Sequence, residues 1–325
     1  MLDRIKELLG KDWTDTVELI RSSLKSDIEL LDCTNSAILS TGGKMLRPMM
    51  SLLVARACSG GKTTIDSIRF AAASELLHNA TLLHDDVADS SAERRGVPTV
   101  MSLLGGPASV LIGDYWLVKA MENILASDDG DEVIRIFAKT LGDLAEGEML
   151  QLQKADSCDT VEEDYLRIIY SKTASLFEAS GIAAARSVNA PGTVMEAVRE
   201  YCVNLGMAFQ IKDDILDYSD GETLGKPVGS DLEERKITLP LLGALLGSDE
   251  VEAARIRAMV MEVPEHPEYK AVIRDFIFVH GGISYAATRL EDYVKKAVTA
   301  LDVLPDSEEK GYLAQLAAFT AKRNR

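Results

Sequence analysis

Alternating apolar and polar residues over four to eight positions, the mark of a half-buried strand, are nearly missing from this 325-residue chain. Proline is scarce, with nine residues, so long helical patterns run without internal breakers. Together these absences exclude an all-β architecture. Cysteine is scarce too. Cys33, Cys58, Cys158 and Cys202 are scattered, form no CxxC pair and have no histidine at zinc-ligand spacing. That excludes a disulfide framework and suits free thiols in a reducing compartment. Positive charge is in deficit: 35 Lys and Arg against 52 Asp and Glu leave a net charge of −17. A nucleic-acid binder would show the opposite balance, so no nucleic-acid partner is expected. Anionic small molecules stay open, because they need only local cations or metal ions. No apolar run approaches the ~20 residues of a membrane span. The opening MLDRIKELLG mixes acids and bases and does not read as a secretory signal, so a cytoplasmic location is expected.

What is present is helical periodicity. Apolar residues recur at helical spacing through most of the chain, predicting helices near 2–10, 13–31, 34–40, 46–58, 64–87, 99–104, 107–127, 131–154, 161–186, 192–218, 237–246, 249–261, 267–279, 282–302 and 306–320. The breaks carry turn chemistry, as in SGGK at 59–62, NAPG at 189–192 and YSDGETLGKPVGS at 218–230. No Pro/Ser-rich linker divides them. The expectation is one all-α domain spanning 1–325, a large helical bundle around a central apolar cavity.

Two long apolar helices end alike, one in HDDVAD at 84–89 and the other in KDDILD at 212–217. Both have the form DDxxD. Four residues apart on a helix, Asp85 and Asp89 share a face, as do Asp213 and Asp217. Crowded carboxylates repel and raise one another's pKa, and a helix C-terminus adds negative potential. Something cationic must offset this. Hard divalent cations suit the donor set, since Mg²⁺ favours oxygen ligands and combines one or two carboxylates with substrate phosphates. A single DDxxD in an acidic chain is most simply a solvated helix end. Two copies, each closing an apolar helix, favour a cleft. No EF-hand loop is present, and ExxH occurs once, at Glu75 to His78, short of the two that a ferritin-like di-metal site needs.

Cations cluster in a few places: Lys44 and Arg47 in TGGKMLRP, Arg94 and Arg95 after the first motif, Lys172 in YSKTASLF, Lys226 in LGKPVG and Lys236 in ERKITLP. Each alone reads as a surface charge. Beside two metal-binding clusters they suit two diphosphates, one held through metal and one by Arg and Lys directly. There is no GxxxxGK[ST], so this is not a P-loop.

Taken together, GGKMLRP, LLHDDVADSSAERRG, GDYW, AEGEMLQLQ, YSKTASLFE, FQIKDDILDY and LGKPVGSDLEERKITLPLL resemble the trans-prenyltransferase (polyprenyl diphosphate synthase) family over nearly the whole chain. The likeness is strongest to the long-chain, octaprenyl-type bacterial branch, particularly over 145–242. The resemblance implies an isoprenoid synthase-like fold and head-to-tail 1'-4 condensation of isopentenyl diphosphate onto an allylic diphosphate. It implies that Asp85 and Asp89 ligate two Mg²⁺ ions and Asp213 a third, with Asp214 and Asp217 in support, and it counts Asp86 among the catalytic residues. Arg94, Lys172, Lys226 and Lys236 would contact the allylic diphosphate. Gly43, Lys44, Arg47, His78 and Arg95 would hold isopentenyl diphosphate, and the basic residues from Lys322 to Arg325 would reach it loosely. Thr173 and Gln210 would turn oxygen dipoles toward the developing cation. His78 stands two helical turns before Asp85 on the same face, which suits either a cleft role or a packed helix histidine. A homodimer is expected by resemblance, with 107–127 and 131–154 as the contact face. Transient membrane contact on product release is expected from the greasiness of a long product.

The helix before the first motif would line the pocket for the growing chain. Ala80 and Thr81 occupy the first turn below the metals and Leu77 the next. None is an aromatic plug, which favours a product near octaprenyl, fit for a quinone side chain. Phe70 and Met149 are weaker candidates for the floor. A geranylgeranyl or farnesyl diphosphate synthase is the shorter-product alternative. Other readings are a terpene cyclase, a non-catalytic subunit of a heteromeric prenyltransferase and a plain helical scaffold. A cyclase would lack the Lys44/Arg47 pair, and a non-catalytic subunit would carry degraded aspartate motifs.

Overall fold

The computed structural model describes residues 1–41, 43–94, 96–218 and 229–323. Arg95 and Lys226 lie outside the described residues, as does most of the 218–230 turn. Among the described residues the chain is all-α apart from one small hairpin. Its helices are α1 Leu2–Leu9, α2 Lys11–Ser23, α3 Glu29–Ser40, α4 Leu46–Ser59, α5 Ile65–Ala88, α6 Val100–Leu104, α7 Gly106–Leu125, α8 Gly130–Ser157, α9 Glu162–Ile169, α10 Ser175–Ser187, α11 Gly192–Asp217, α12 Ser230–Glu233, α13 Leu239–Leu246, α14 Glu250–Glu262, α15 Tyr269–Val279, α16 Gly282–Ala300 and α17 Glu308–Lys322. The hairpin pairs Glu93–Arg94 (β1) with Val97–Pro98 (β2). Among the described residues no helix is long and apolar enough to cross a membrane.

Most helices lie where periodicity predicts them, with three departures. The expected helix over 13–31 stops at Ser23. Beyond it Ser26 Oγ accepts from Ile28 N at 3.1 Å, and Asp32 Oδ1 accepts from Ser26 N at 3.2 Å. Such local side-chain bonds compete with helical ones. The expected helix over 161–186 is interrupted at Tyr170–Ala174 by a π-helical turn. The hairpin at 93–98 has no alternating pattern to announce it, being two residues per strand.

The chain divides into two compact units, one formed by 1–138, 179–199 and 303–313 and the other by 139–178, 200–302 and 314–325. The first is organised on α5, which is buried on nearly every side between Ser67 and Leu77, as expected of a helix whose apolar residues run all round it. Thr64 and Ser67 form a capping box at its start. Against it packs α7, where Ser109 Oγ donates to the Leu83 carbonyl at 2.8 Å. Gly113 lies under the His84 ring, where an added Cβ would come within 2.4 Å of His84 Nε2. Trp116 Nε1 donates to Asn35 Oδ1 at 2.8 Å, and Asn35 Nδ2 to the Leu24 carbonyl at 2.8 Å, which ties α7 to α3 and to the end of α2.

The second unit is built on α13, whose residues Leu239 to Leu245 are all buried. Helix α16 crosses it closely, with Gly282 against the Pro240 carbonyl and Gly243 against the Tyr285 ring. Leu232, Ile237, Ile256, Val260, Ile273 and Phe276 join the same core.

Candidate active site

In the first unit, the C-terminal end of α5 carries the first motif. Asp85 is half-buried and Asp89 exposed at the helix cap, where its N–H donates to the Asp85 carbonyl at 2.8 Å. Asp86 behaves differently. It is 4% exposed, and Arg94 Nε donates to its Oδ1 at 2.8 Å. The hairpin brings that arginine back onto the motif that precedes it. So the local cation neutralises the inward carboxylate and leaves the outward pair, Asp85 and Asp89, on one face. Arg94 is thereby engaged by Asp86 rather than displayed alone. Further along the same helix His78 is half-buried, and Thr81 Oγ1 donates to its carbonyl at 2.8 Å. Leu77 and Ala80 are buried.

Elsewhere in this unit, Gly43 and Lys44 are exposed and Arg47 is buried in the first turn of α4. The N-cap of α4, Met45, stands between Lys44 and Arg47 and holds a left-handed conformation (φ 48°, ψ 47°). Left-handed backbone at a non-glycine residue is uncommon and tends to mark functional loops.

In the second unit, the π-helical turn Tyr170–Ala174 carries Lys172 and Thr173. It is clasped by two glycines. A Cβ at Gly147 of α8 would come within 2.6 Å of Ser171 Cβ, and one at Gly206 of α11 within 2.5 Å of Ala174 Cα. Single π-turns inside helices recur at functional sites. Lys172 Nζ lies 2.6 Å from Glu148 Oε1 and donates to Gln151 Oε1 at 3.0 Å. Thr173 Oγ1 donates to Gln210 Oε1 at 2.8 Å, Gln210 Nε2 donates to Asp214 Oδ1 at 2.9 Å, and Tyr165 OH donates to Asp214 Oδ2 at 2.6 Å. One continuous chain of hydrogen bonds thus joins the π-turn to the second motif.

The three aspartates of that motif have distinct surroundings. Asp213 is half-buried and pairs with Arg323 at 2.8 Å. Asp214 is 4% exposed with both oxygens taken by protein donors. Burial pushes its carboxyl up to about 7 against the two hydrogen bonds, with Asp213 and Asp217 adding repulsion. Asp217 accepts from the Ser230 hydroxyl at 2.7 Å and from the Asp231 N–H at 3.2 Å. Burial also raises the Tyr165 phenol well above its ordinary range, so it stays a donor. A cavity of about 120 Å³ opens beside this network, lined by Tyr165, Lys172, Gln210, Asp214, Asp231 and Lys236 among others. Lys236 is partly buried and pairs with Glu234. The cavity walls carry three lysines, Lys154, Lys172 and Lys236.

Tyr165 and Asp231 escape notice in the sequence. Tyr165 reads as one more apolar position of a helix, and Asp231 as a charge in an acidic loop. Their approach to Asp214, 49 positions away in the case of Tyr165, has no local signal. Met149, a weak candidate for a pocket floor, is 67% exposed and closes nothing within its own unit.

The carboxylate pairs are hard oxygen donors and fit Mg²⁺, which takes one or two carboxylates and fills its remaining positions with phosphate or water. Among the described residues there is no group of three or more His, Cys, Asp or Glu placed to hold a metal ion.

A buried hydrogen-bond chain on a π-turn, cations lining a cavity and two aspartate motifs in an all-α fold are the features expected of a protein that binds diphosphate groups. Residues 28–276 match the polyprenyl synthetase family. The chain is 38% identical to the octaprenyl diphosphate synthase of Haemophilus influenzae, over 99% of this chain and 97% of that protein. It is 35% identical to the all-trans-nonaprenyl-diphosphate synthase (geranyl-diphosphate specific) of Rhodobacter capsulatus, over 97% and 96%. Its fold superposes on the polyprenyl synthase of Caulobacter crescentus, solved with calcium and isoprenyl diphosphate, with TM-score 0.91 and 36% identity over 100% of this chain and 98% of that one. The chain belongs to the polyprenyl synthetase family and is a trans-prenyltransferase, a trans-polyprenyl diphosphate synthase.

Proposed function

We propose that the chain condenses isopentenyl diphosphate onto an allylic diphosphate, farnesyl diphosphate as primer, and extends it to a product near octaprenyl for quinone side chains. The observation that carries the reading is the Thr173–Gln210–Asp214 chain on a π-turn beside Lys172, in a chain that keeps both aspartate motifs and belongs to this family. Residues 1–325 would act as one polyprenyl synthase domain.

Asp85, Asp89 and Asp213 would hold Mg²⁺, three ions with substrate bound, and Asp214 and Asp217 would support them. When bound, the metal supplies Lewis-acid charge to the departing diphosphate. Lys172, held by Glu148 and Gln151, would transfer to the allylic diphosphate together with Lys236, Lys226 and Arg94. Gly43, Lys44, Arg47, His78 and Arg95 would grip isopentenyl diphosphate. As the allylic C–O bond breaks, positive charge develops on carbon. The oxygens of Thr173 and Gln210 would face it as fixed dipoles. The alkene of isopentenyl diphosphate then attacks, and the proton lost from it passes to the released pyrophosphate. The small side chains of Ala80 and Thr81 support a long product, as does the octaprenyl relative. Relatives named as short-chain and heptaprenyl synthases keep the shorter product as the alternative.

A homodimer is part of the proposal. Leu111, Val118 and Leu125 are exposed on α7 at spacings of seven, an apolar stripe of the kind that packs against another helix. A cytoplasmic site of action with transient membrane contact at product release completes the reading.

Incubation of the purified protein with Mg²⁺, farnesyl diphosphate and labelled isopentenyl diphosphate, followed by product sizing, tests both levels. Products near octaprenyl support the reading. A geranylgeranyl end product overturns the length, and no condensation at all overturns farnesyl diphosphate as the primer.

A further inference from the structure

Tyr165 belongs to the second unit's hydrogen-bond chain but lies outside both the FQIKDDILDY and the YSKTASLFE segments. It comes from α9, is buried, and directs its hydroxyl at Asp214 Oδ2 over 2.6 Å. We propose that Tyr165 is a positioning residue that, through Asp214, sets which end of the Gln210 side-chain amide meets the reacting allylic carbon. This rests on the proposed placement of Thr173 and Gln210 at that carbon.

Donors and acceptors follow one another along a fixed line from Tyr165 to Thr173. A primary amide has a donor end and an acceptor end of similar size, so its orientation is decided by its neighbours. Asp214 offers carboxylate oxygens on both sides. Tyr165 occupies Oδ2 with an O–H, and Gln210 occupies Oδ1 with Nε2–H. Two donors on two different helices hold the carboxylate in one plane. With Nε2 committed to Asp214, Gln210 Oε1 must lie at the other end, where it takes the Thr173 hydroxyl proton at 2.8 Å. Thr173 Oγ1 then has lone pairs, and no proton, left to present. The reverse amide would set N–H dipoles where positive charge develops, which opposes ionisation. An acceptor-only arrangement fixed before reaction costs no reorganisation during it. Removing the phenol oxygen leaves Oδ2 buried without a donor, and the carboxylate loses one of the two anchors of its plane.

The test is steady-state kinetics with farnesyl diphosphate and isopentenyl diphosphate at saturating Mg²⁺, on the full chain, for wild type, Tyr165→Phe, Gln210→Ala and the double variant. The expected result for Tyr165→Phe is a fall in kcat of about tenfold with both KM values within about twofold, because the contact acts on the transition state rather than on binding. In the Gln210→Ala background, Tyr165→Phe should add no further loss, since its effect passes through that amide. A Tyr165→Phe kcat within about twofold of wild type, or losses that multiply independently, overturns the proposal. A second measurement covers a variant that fails to fold. In wild-type protein labelled with ¹⁵N at glutamine side chains, the Gln210 amide protons should exchange slowly, and freely exchanging protons there overturn the proposal. A wild-type chain that condenses no diphosphate fails the functional reading instead, while the amide spectrum still judges this one.

Discussion

Arg323 Nη2 lies 2.8 Å from Asp213 Oδ1, and the same nitrogen donates to the Phe209 carbonyl at 2.7 Å. Its guanidinium sits 3.9 Å above the Phe209 ring and is 7% exposed as a residue. Burial lowers its pKa while Asp213 supports its charge. The leading carboxylate of the second motif therefore carries a counterion from its own chain, just after the end of α17. A divalent cation at Asp213 would compete with that guanidinium for the carboxylate.

Arg323→Gln should raise the affinity for Mg²⁺ in the absence of substrate by about 3- to 10-fold, since a competing charge is gone. Isothermal titration measures it. The variant should also lose about 1–3 kcal/mol in metal-free denaturation, because Arg323 anchors α17 to α11. Unchanged or weaker Mg²⁺ binding would mean the pair does not compete with metal.

Asp214 makes stability depend on pH in the metal-free protein. Its folded pKa of about 7 lies above its ordinary value of 3.8, so the folded state holds a proton that the unfolded chain releases. The associated stability is full below 3.8 and is lost as pH rises through 7. Asp231, also raised by burial, acts in the same direction. Asp214→Asn should flatten the decline between these limits by at most about 1.4 kcal/mol per pH unit. Thermal melts across the range test this; an unaltered slope would assign the pH dependence elsewhere.

Gly206→Ala should disturb the π-turn. The added Cβ would meet Ala174 Cα at 2.5 Å, and that contact is with backbone, which has nowhere soft to go. A cost of about 1–3 kcal/mol is expected from overpacking, with a fall in kcat because Thr173 rides on the displaced turn. Denaturant melts and kinetics read the two effects. A neutral outcome in both would show that the turn tolerates movement.

Ala80→Phe should shorten the product if the face of α5 below the first motif lines the growing chain. Ala80 is 1% exposed, so the larger ring also carries an overpacking cost of about 1–3 kcal/mol. Product sizing with labelled isopentenyl diphosphate decides it. Identical product lengths in variant and wild type would detach this face from length control.

Both aspartate motifs, the long helices and the cation-bearing loops were legible in the chain because each is local. A DDxxD at the end of an apolar helix is a pattern over a few residues, and helical periodicity needs only neighbours three and four apart. The departures have an equally plain cause. Helix α2 stops at Ser23 through the short-range competition of Ser26 and Asp32 for backbone and capping bonds, which a count of apolar spacing does not register. YSKTA contains nothing that forbids an α-turn. The close approach of Gly147 and Gly206 accompanies its π geometry, and those glycines come from two other helices.

The sequence by itself determined an all-α chain with two carboxylate clusters and the residues to meet anionic groups, because helix formation and charge crowding are short-range properties. The surroundings of each aspartate within a cluster came from the tertiary structure. It buried Asp86 against Arg94 and left Asp85 and Asp89 outward. It gave Asp214 to Tyr165 and Gln210, and Asp213 to Arg323. Three adjacent-looking aspartates carry the same letter, and only the direction each faces, and the donors other helices bring to it, tells a metal-seeking carboxylate from one that orients its neighbours.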